Sequence, residues 1–148
     1  MRVQDIMSRD PVSCGPDTTL REVAEKMVEF DCGEIPICDG AGKPIGVITD
    51  RDIVCRVVAK GHDPLQARAE EYMSEPVVTT KPDVPVDECV RLMEQYQVRR
   101  LPVVDDGGVC CGIIAQADVA RHATRDTIAE VMEHVSEPNT FASSVGGR

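Results

Sequence analysis

The sequence contains no tryptophan and only two tyrosines and two phenylalanines in 148 residues. A core built from it must be aliphatic, drawn from Val, Ile, Leu, Met and Ala. No apolar run approaches the roughly 18 to 20 residues that cross a bilayer. The opening stretch, MRVQDIMSRDPV, lacks the continuous apolar run of a secretory signal. These two absences lead to the expectation of a cytoplasmic chain without a membrane segment. Basic clusters are scarce as well: the densest is Arg99-Arg100, and 26 acidic residues against 16 basic ones leave a net charge of −10. That balance repels a phosphate backbone, so no nucleic-acid partner is expected. Among the seven cysteines, at 14, 32, 38, 55, 89, 110 and 111, there is no C-x-x-C pair. An odd count does not fit a fully paired secreted framework. Cys110 and Cys111 are adjacent and would point to opposite faces of a strand, a poor arrangement for one metal. Most of the cysteines have apolar neighbours and read as small hydrophobes in a reducing compartment. No G-x-S-x-G, H-E-x-x-H or phosphate-loop pattern occurs, and His62, His122 and His134 have no evident nucleophile beside them. No catalytic residue and no metal ligand is assigned, and the chain is read as a non-enzyme.

What is present is a repeat. Residue n resembles residue n+66: Met7 and Met73, Pro16-Asp17 and Pro82-Asp83, Met27 and Met93, Ile35-Pro36-Ile37 and Leu101-Pro102-Val103, Gly46 and Gly112, Asp52 and Asp118. One slip occurs early, where Pro11 meets Pro76. Two copies of this length are too few and too long for a solenoid and imply a pseudo-twofold pair. Each copy follows the same order. A short extended segment (11–14 and 76–79) ends in a Pro-Asp turn. An amphipathic helix follows, opened in the first copy by a Thr19…Glu22 capping box, with Leu20, Val23, Ala24, Met27 and Val28 as its stripe and Val86, Cys89, Val90 and Met93 at matching offsets. Two strands, 35–38 and 44–49 in the first copy, flank a turn of hairpin chemistry at 39–42. A second helix begins near Asp50 and near Ala117. The expected organisation is a first repeat at 1–61, a linker at 62–69, a second repeat at 70–123, a C-terminal helix at 124–135 and a flexible tail at 136–148.

The stretch GVITDRD, residues 46–52, places a hydroxyl and two carboxylates at a strand-to-helix junction. Thr49-x-x-Asp52 can be a capping box. It can equally be a ligand site: a carboxylate accepts from both ribose hydroxyls, as the acidic residue of dinucleotide folds does, and a helix N-terminus has N–H donors for phosphate. The second copy, GIIAQAD at 112–118, replaces Thr49 by Ala115 yet keeps Asp118. Gly46 would allow backbone or ligand to approach closely.

The Met-Ser and Pro-Val near the start of each copy, the mid-unit Ile-Pro-Ile or Leu-Pro-Val and the closing GVITDRD resemble a CBS domain, and the doubled pattern resembles a CBS pair, or Bateman module, over roughly residues 1–123. The resemblance implies an α/β fold of two β-α-β-β-α repeats packed sheet to sheet with helices outside. It implies two clefts that often hold AMP, ADP, ATP, NAD or S-adenosylmethionine, with no required cofactor, and a homodimer that regulates another protein. Carried onto this chain, it implies Gly46, Thr49, Asp52 and Thr79 for one cleft, and Ser13, Arg100, Gly112 and Asp118 for the other. Glu34 stands in the first cleft where Arg100 stands in the second, so the two should differ in their tolerance of phosphate. Two other readings are a constitutive dimer scaffold with degenerate clefts, favoured by Glu34 and Ala115, and a cysteine-based redox or metal switch in which Cys14 and Cys38 approach across neighbouring strands.

Overall fold

The computed structural model describes residues 1–75, 77–122 and 130–133. Along the chain its elements are α1 (Val3–Ile6), β1 (Ser8–Arg9), α2 (Leu20–Phe30), β2 (Glu34–Cys38), β3 (Pro44–Thr49), α3 (Asp50–Asp52) continuing as a π-helical stretch (Ile53–Val58), α4 (Ala69–Tyr72), α5 (Val86–Tyr96), β4 (Arg100–Val104), β5 (Cys110–Ala115) and α6 (Gln116–His122). Pro76 and most of the expected C-terminal helix and tail lie outside the described residues. Within 130–133 the chain is helical, and Val131 is buried in the core of the second repeat.

The apolar stripe read in the sequence drives α2, which buries Leu20, Val23 and Met27. Val28 falls outside that stripe and is 84% exposed; eight residues beyond Leu20, it has rotated about 80° off the buried face. Thr19 starts the helix by accepting a hydrogen bond from Glu22 N at 3.3 Å. Asp31 ends it in the left-handed conformation at φ 50°. α5 follows the same plan, burying Val86, Cys89, Val90 and Met93 and ending on left-handed Gln97.

Each helix leads into an antiparallel hairpin, registered Glu34↔Thr49 to Cys38↔Pro44 in one copy and Arg100↔Ala115 to Val104↔Cys110 in the other. The turns are set by the same device: Asp39 Oδ1 accepts from Ala41 N and Lys43 N, and Asp105 Oδ1 accepts from Gly107 N and Val109 N. The extended segment expected at the front of each copy shrinks to a single parallel bridge, Cys14↔Ile37 and Thr80↔Val103.

The two copies exchange their leading segments. Val3 and Ile6 are buried with Val86, Met93, Leu101 and Ile114 of the second copy, while Ala67 and Ala69 are buried with Leu20, Val23, Ile35 and Ile48 of the first. Matching backbone bonds hold the exchange: Val3 N donates to Val84 O and Val86 N to Met1 O, as Leu20 N donates to Ala67 O and Ala69 N to Thr18 O. β1 adds an antiparallel strand to β5, pairing Ser8 with Ile113 and Arg9 with Gly112. Ser74 bridges Val47 at the corresponding place.

The exchange accounts for Gly46 and Gly112. A Cβ at Gly46 would lie 2.6 Å from Met73 Sδ, and one at Gly112 would lie 2.8 Å from both Met7 Sδ and the Ser8 carbonyl oxygen. The room these glycines leave is filled by the methionine of the other copy's leading segment, and at Gly112 also by the Ser8 backbone carbonyl. Met73 Cγ and Cβ also crowd the Gly46 position, at 2.7 and 3.0 Å, so turning the end of that side chain makes little room, and the Ser8 carbonyl is backbone in a strand pair. Gly46→Ala and Gly112→Ala are both therefore expected to destabilise the protein by about 1–3 kcal/mol; urea unfolding of the two variants checks this, and an unchanged midpoint for either would refute it.

Candidate functional site

The junction after β3 is a reciprocal cap. Thr49 Oγ1 accepts from Asp52 N at 3.1 Å, and Asp52 Oδ2 accepts from Thr49 N at 2.9 Å. The other first-turn donors are also engaged: Asp50 N donates to Gly33 O at 2.9 Å, and Arg51 N donates to Asp50 Oδ1 at 2.8 Å. The expectation that free N–H groups wait there for a phosphate is thus corrected for the first copy. The donors are spent because Thr49 and Asp50 supply acceptors within the same turn and Gly33 supplies one from the loop before β2. Asp52 is only 7% exposed. Its Oδ1 faces Arg56 Nη1 at 4.0 Å, and Arg56 is anchored by donating to the Tyr72 carbonyl at 2.6 Å.

At the equivalent position, Asp118 is 6% exposed and keeps half of the cap: its Oδ2 accepts from Ala115 N at 2.8 Å. Ala115 has no side-chain oxygen with which to return a bond. Asp118 Oδ1 is instead taken by Arg121 Nη2 at 2.7 Å, a close charge-assisted pair. Both buried carboxylates therefore hold one oxygen on the backbone of the preceding strand. They differ in how firmly a cation occupies the second.

Strand register brings the remaining charged candidates to these caps. Glu34 pairs with Thr49, which puts a half-buried carboxylate at the β2 end beside the Asp52 cap. Arg100 pairs with Ala115 beside Asp118, so the two sites carry opposite charge at the same place. Ser13 donates its hydroxyl proton to the Cys38 thiol. It also lines a cavity of about 460 Å³ with Cys14, Gly15, Thr18 and the acidic face of α2, and neither Asp52 nor Asp118 reaches that cavity. Thr79 is half-buried.

The residue that sequence reasoning passed over is Thr80. It is 4% exposed, it makes the parallel bridge to Val103, and its hydroxyl is buried without a hydrogen-bond partner. A buried polar atom left in that state is uncommon. The repeat offset was the available signal, since Cys14 and Thr80, rather than Ser13 and Thr79, are the bridging pair.

Among the described residues no group of three or more His, Cys, Asp or Glu could hold a metal ion, and no helix is long and apolar enough to cross a membrane. Burial pushes the Cys89 thiol up to about 12 and raises that of Cys14, the setting of unreactive thiols. If the caps are as described, Thr49→Ala costs about 1 kcal/mol, while Ala115→Thr completes the second box and stabilises by up to about the same amount. Chemical denaturation of both variants tests this, and a destabilised Ala115→Thr protein would contradict it.

The comparisons with known proteins agree with this architecture. Hypoxic response protein 1 of Mycobacterium tuberculosis is 34% identical over 140 residues, covering 95% of this chain and 97% of that protein. The crystal structure of Hypoxic Response Protein I with two coordinated zinc ions superposes with a TM-score of 0.78 at 35% identity, over 84% of this chain and 100% of that one. The CBS domain pair of protein MJ0100, in complex with 5-methylthioadenosine and S-adenosyl-L-methionine, gives a TM-score of 0.74 at 31% identity, over 82% of this chain and 94% of that one. An uncharacterised protein of Methanopyrus kandleri is 40% identical over 117 residues, 79% of this chain, and the match spans 60% of its length. The family model for the CBS domain matches residues 3–59 and 69–125, one match to each copy, and the chain belongs to the CBS domain family as a tandem pair.

Proposed function

We propose that this CBS pair is a non-catalytic sensor that takes an adenosine-containing ligand against Asp52 and transmits occupancy to another protein. The observation that carries the reading is the pair of buried carboxylates at equivalent strand-to-helix junctions, each held by one oxygen on the strand backbone. The second oxygen faces a cation of the same copy, Arg56 or Arg121, and a ribose diol offers two hydroxyls to take that cation's place. A similar pair, that of protein MJ0100, was crystallised with two adenosine-containing ligands. The Asp52 site is favoured because its cation stands 4.0 Å off, whereas Asp118 must release Arg121 from 2.7 Å. Glu34 beside Asp52 disfavours a phosphate at that end, so the preferred ligand there carries little negative charge, as S-adenosylmethionine or methylthioadenosine does. Arg100 beside Asp118 suits a phosphate once Arg121 has moved. Exposed Val54 and Val58, one turn apart on the π-helical stretch, offer an apolar face for the homodimer that this reading includes.

A second reading is supported by the Asp118–Arg121 pair itself: a scaffold whose clefts are closed by internal ion pairs. Calorimetric titration of nucleotide-stripped protein with AMP, ADP, ATP, NAD and S-adenosylmethionine separates the two. The sensor reading expects saturable binding of at least one ligand, weakened on the order of 10- to 100-fold by Asp52→Ala and much less by Asp118→Ala. A folded protein that binds none of the five leaves the scaffold reading.

A further inference from the structure

Cys38 closes β2 and Cys110 opens β5, so one belongs to each copy. The hairpin turns of the two copies meet there: Cys110 N donates to the Gly42 carbonyl at 3.0 Å, and a Cβ at Gly42 would stand 3.1 Å from a Val109 methyl. The two thiols share a side-chain hydrogen bond across this seam, and Cys110 Sγ also lies 3.6 Å from the Gly112 carbonyl. Cys38 is buried, whereas Cys110 is half-buried and gives the seam an opening to solvent. Cys14 meets Cys38 through the backbone, with Cys38 N donating to Cys14 O at 2.8 Å. It is Cys110, from the other copy, that meets Cys38 thiol to thiol.

We propose that Cys38 and Cys110 are a redox pair that hydrogen peroxide converts into a reversible disulfide, clamping the two copies together at their hairpin turns. The direction of reaction follows from the surroundings. The Cys110 thiol and the Ser13 hydroxyl both donate to Cys38 and hold it below the usual thiol range, against the opposing effect of burial. The same contact, together with burial, holds the proton on Cys110. Cys38 is therefore the attacking thiolate and Cys110 the resolving thiol. The Cys38 thiolate attacks one peroxide oxygen and the O–O bond breaks, leaving a sulfenic acid and a hydroxide, which becomes the first water by taking up from solvent the proton that Cys38 released on ionising. The Cys110 sulfur then attacks the Cys38 sulfur. The S–O bond breaks, and the departing hydroxide takes the Cys110 proton as the second water. Two thiols and one peroxide give one disulfide and two waters, the sulfurs losing the two electrons that the peroxide gains. A later thiol–disulfide exchange with a small thiol restores the pair. This holds whether or not the clefts take a nucleotide.

The test uses the full chain, reduced, desalted and treated with a small excess of hydrogen peroxide. Non-reducing digestion with a Glu-specific protease cuts after Glu34 and separates Cys32 from Cys38, and fragmentation distinguishes Cys110 from Cys111. The expected result is a monomer lighter by two hydrogens, restored by dithiothreitol, with Cys38 joined to Cys110. Because the bond closes a loop of about 70 residues, Tm should rise by on the order of 5–10 °C, and Cys110→Ser should abolish that rise. Pairing of Cys38 with Cys14, with Cys32 or with a second molecule would overturn the proposal. So would overoxidation of Cys38 while Cys110 stays alkylatable. Mapping on the unmodified sequence decides the matter even where Cys110→Ser fails to fold.

Discussion

Each copy closes its core with a segment that belongs, in chain order, to the other. Val3 and Ile6 complete the second core, and Ala67 and Ala69 complete the first. Burying a side chain the size of Val3 or Ile6 stabilises by roughly 1.5–3 kcal/mol and an alanine methyl by about 0.8 kcal/mol, and a two-stranded hairpin with one helix is marginal without such burial. Neither copy therefore has an independent core. The glycines at 46 and 112 follow from the same constraint, because only a residue without a Cβ lets Met73 and Met7 lie against the strands. The pseudo-twofold arrangement is the outcome of this reciprocal closure.

The site inherits that geometry. β3 and β5 carry the caps that aim Asp52 and Asp118, and both strands are braced from outside by the exchanged segments, through Ser74 on Val47 and through β1 on β5. Arg56 reaches from beside Asp52 to the carbonyl of Tyr72, the last residue of α4, so the first carboxylate is tied to the exchanged segment by an additional link. A shift of either leading segment would be felt at a buried carboxylate. In the proposed sensor, that is the physical route by which ligand occupancy would move the relation between the copies.

Much of this was legible in the sequence because it is encoded locally. The 66-residue offset, the helical stripe from Leu20 to Met27, the Asp39 and Asp105 turns and the Thr49–Asp52 box all depend on residues a few positions apart. The family resemblance drew on the same local motifs and is confirmed by the family match over both copies. What was not legible is non-local. α1 and α4 have four residues each, too few for a periodic pattern, and their partners lie in the other copy. The close approach that requires Gly46 comes from Met73, 27 positions away. The π-helical stretch, with Ala59 N donating to Val54 O, leaves no mark on the apolar pattern of Ile53–Val58.

The central claim is that the leading segments are structural members of the opposite copy. Native-state hydrogen exchange at increasing denaturant tests it most directly. Val3 and Met7 amides, donating to the Val84 and Val3 carbonyls, and Ala69 and Met73 amides, donating to the Thr18 and Ala69 carbonyls, should be protected as strongly as the strands of both hairpins. All should open in one cooperative step. Exchange of residues 3–9 as a frayed terminus, or separate opening of the two halves, would contradict the account.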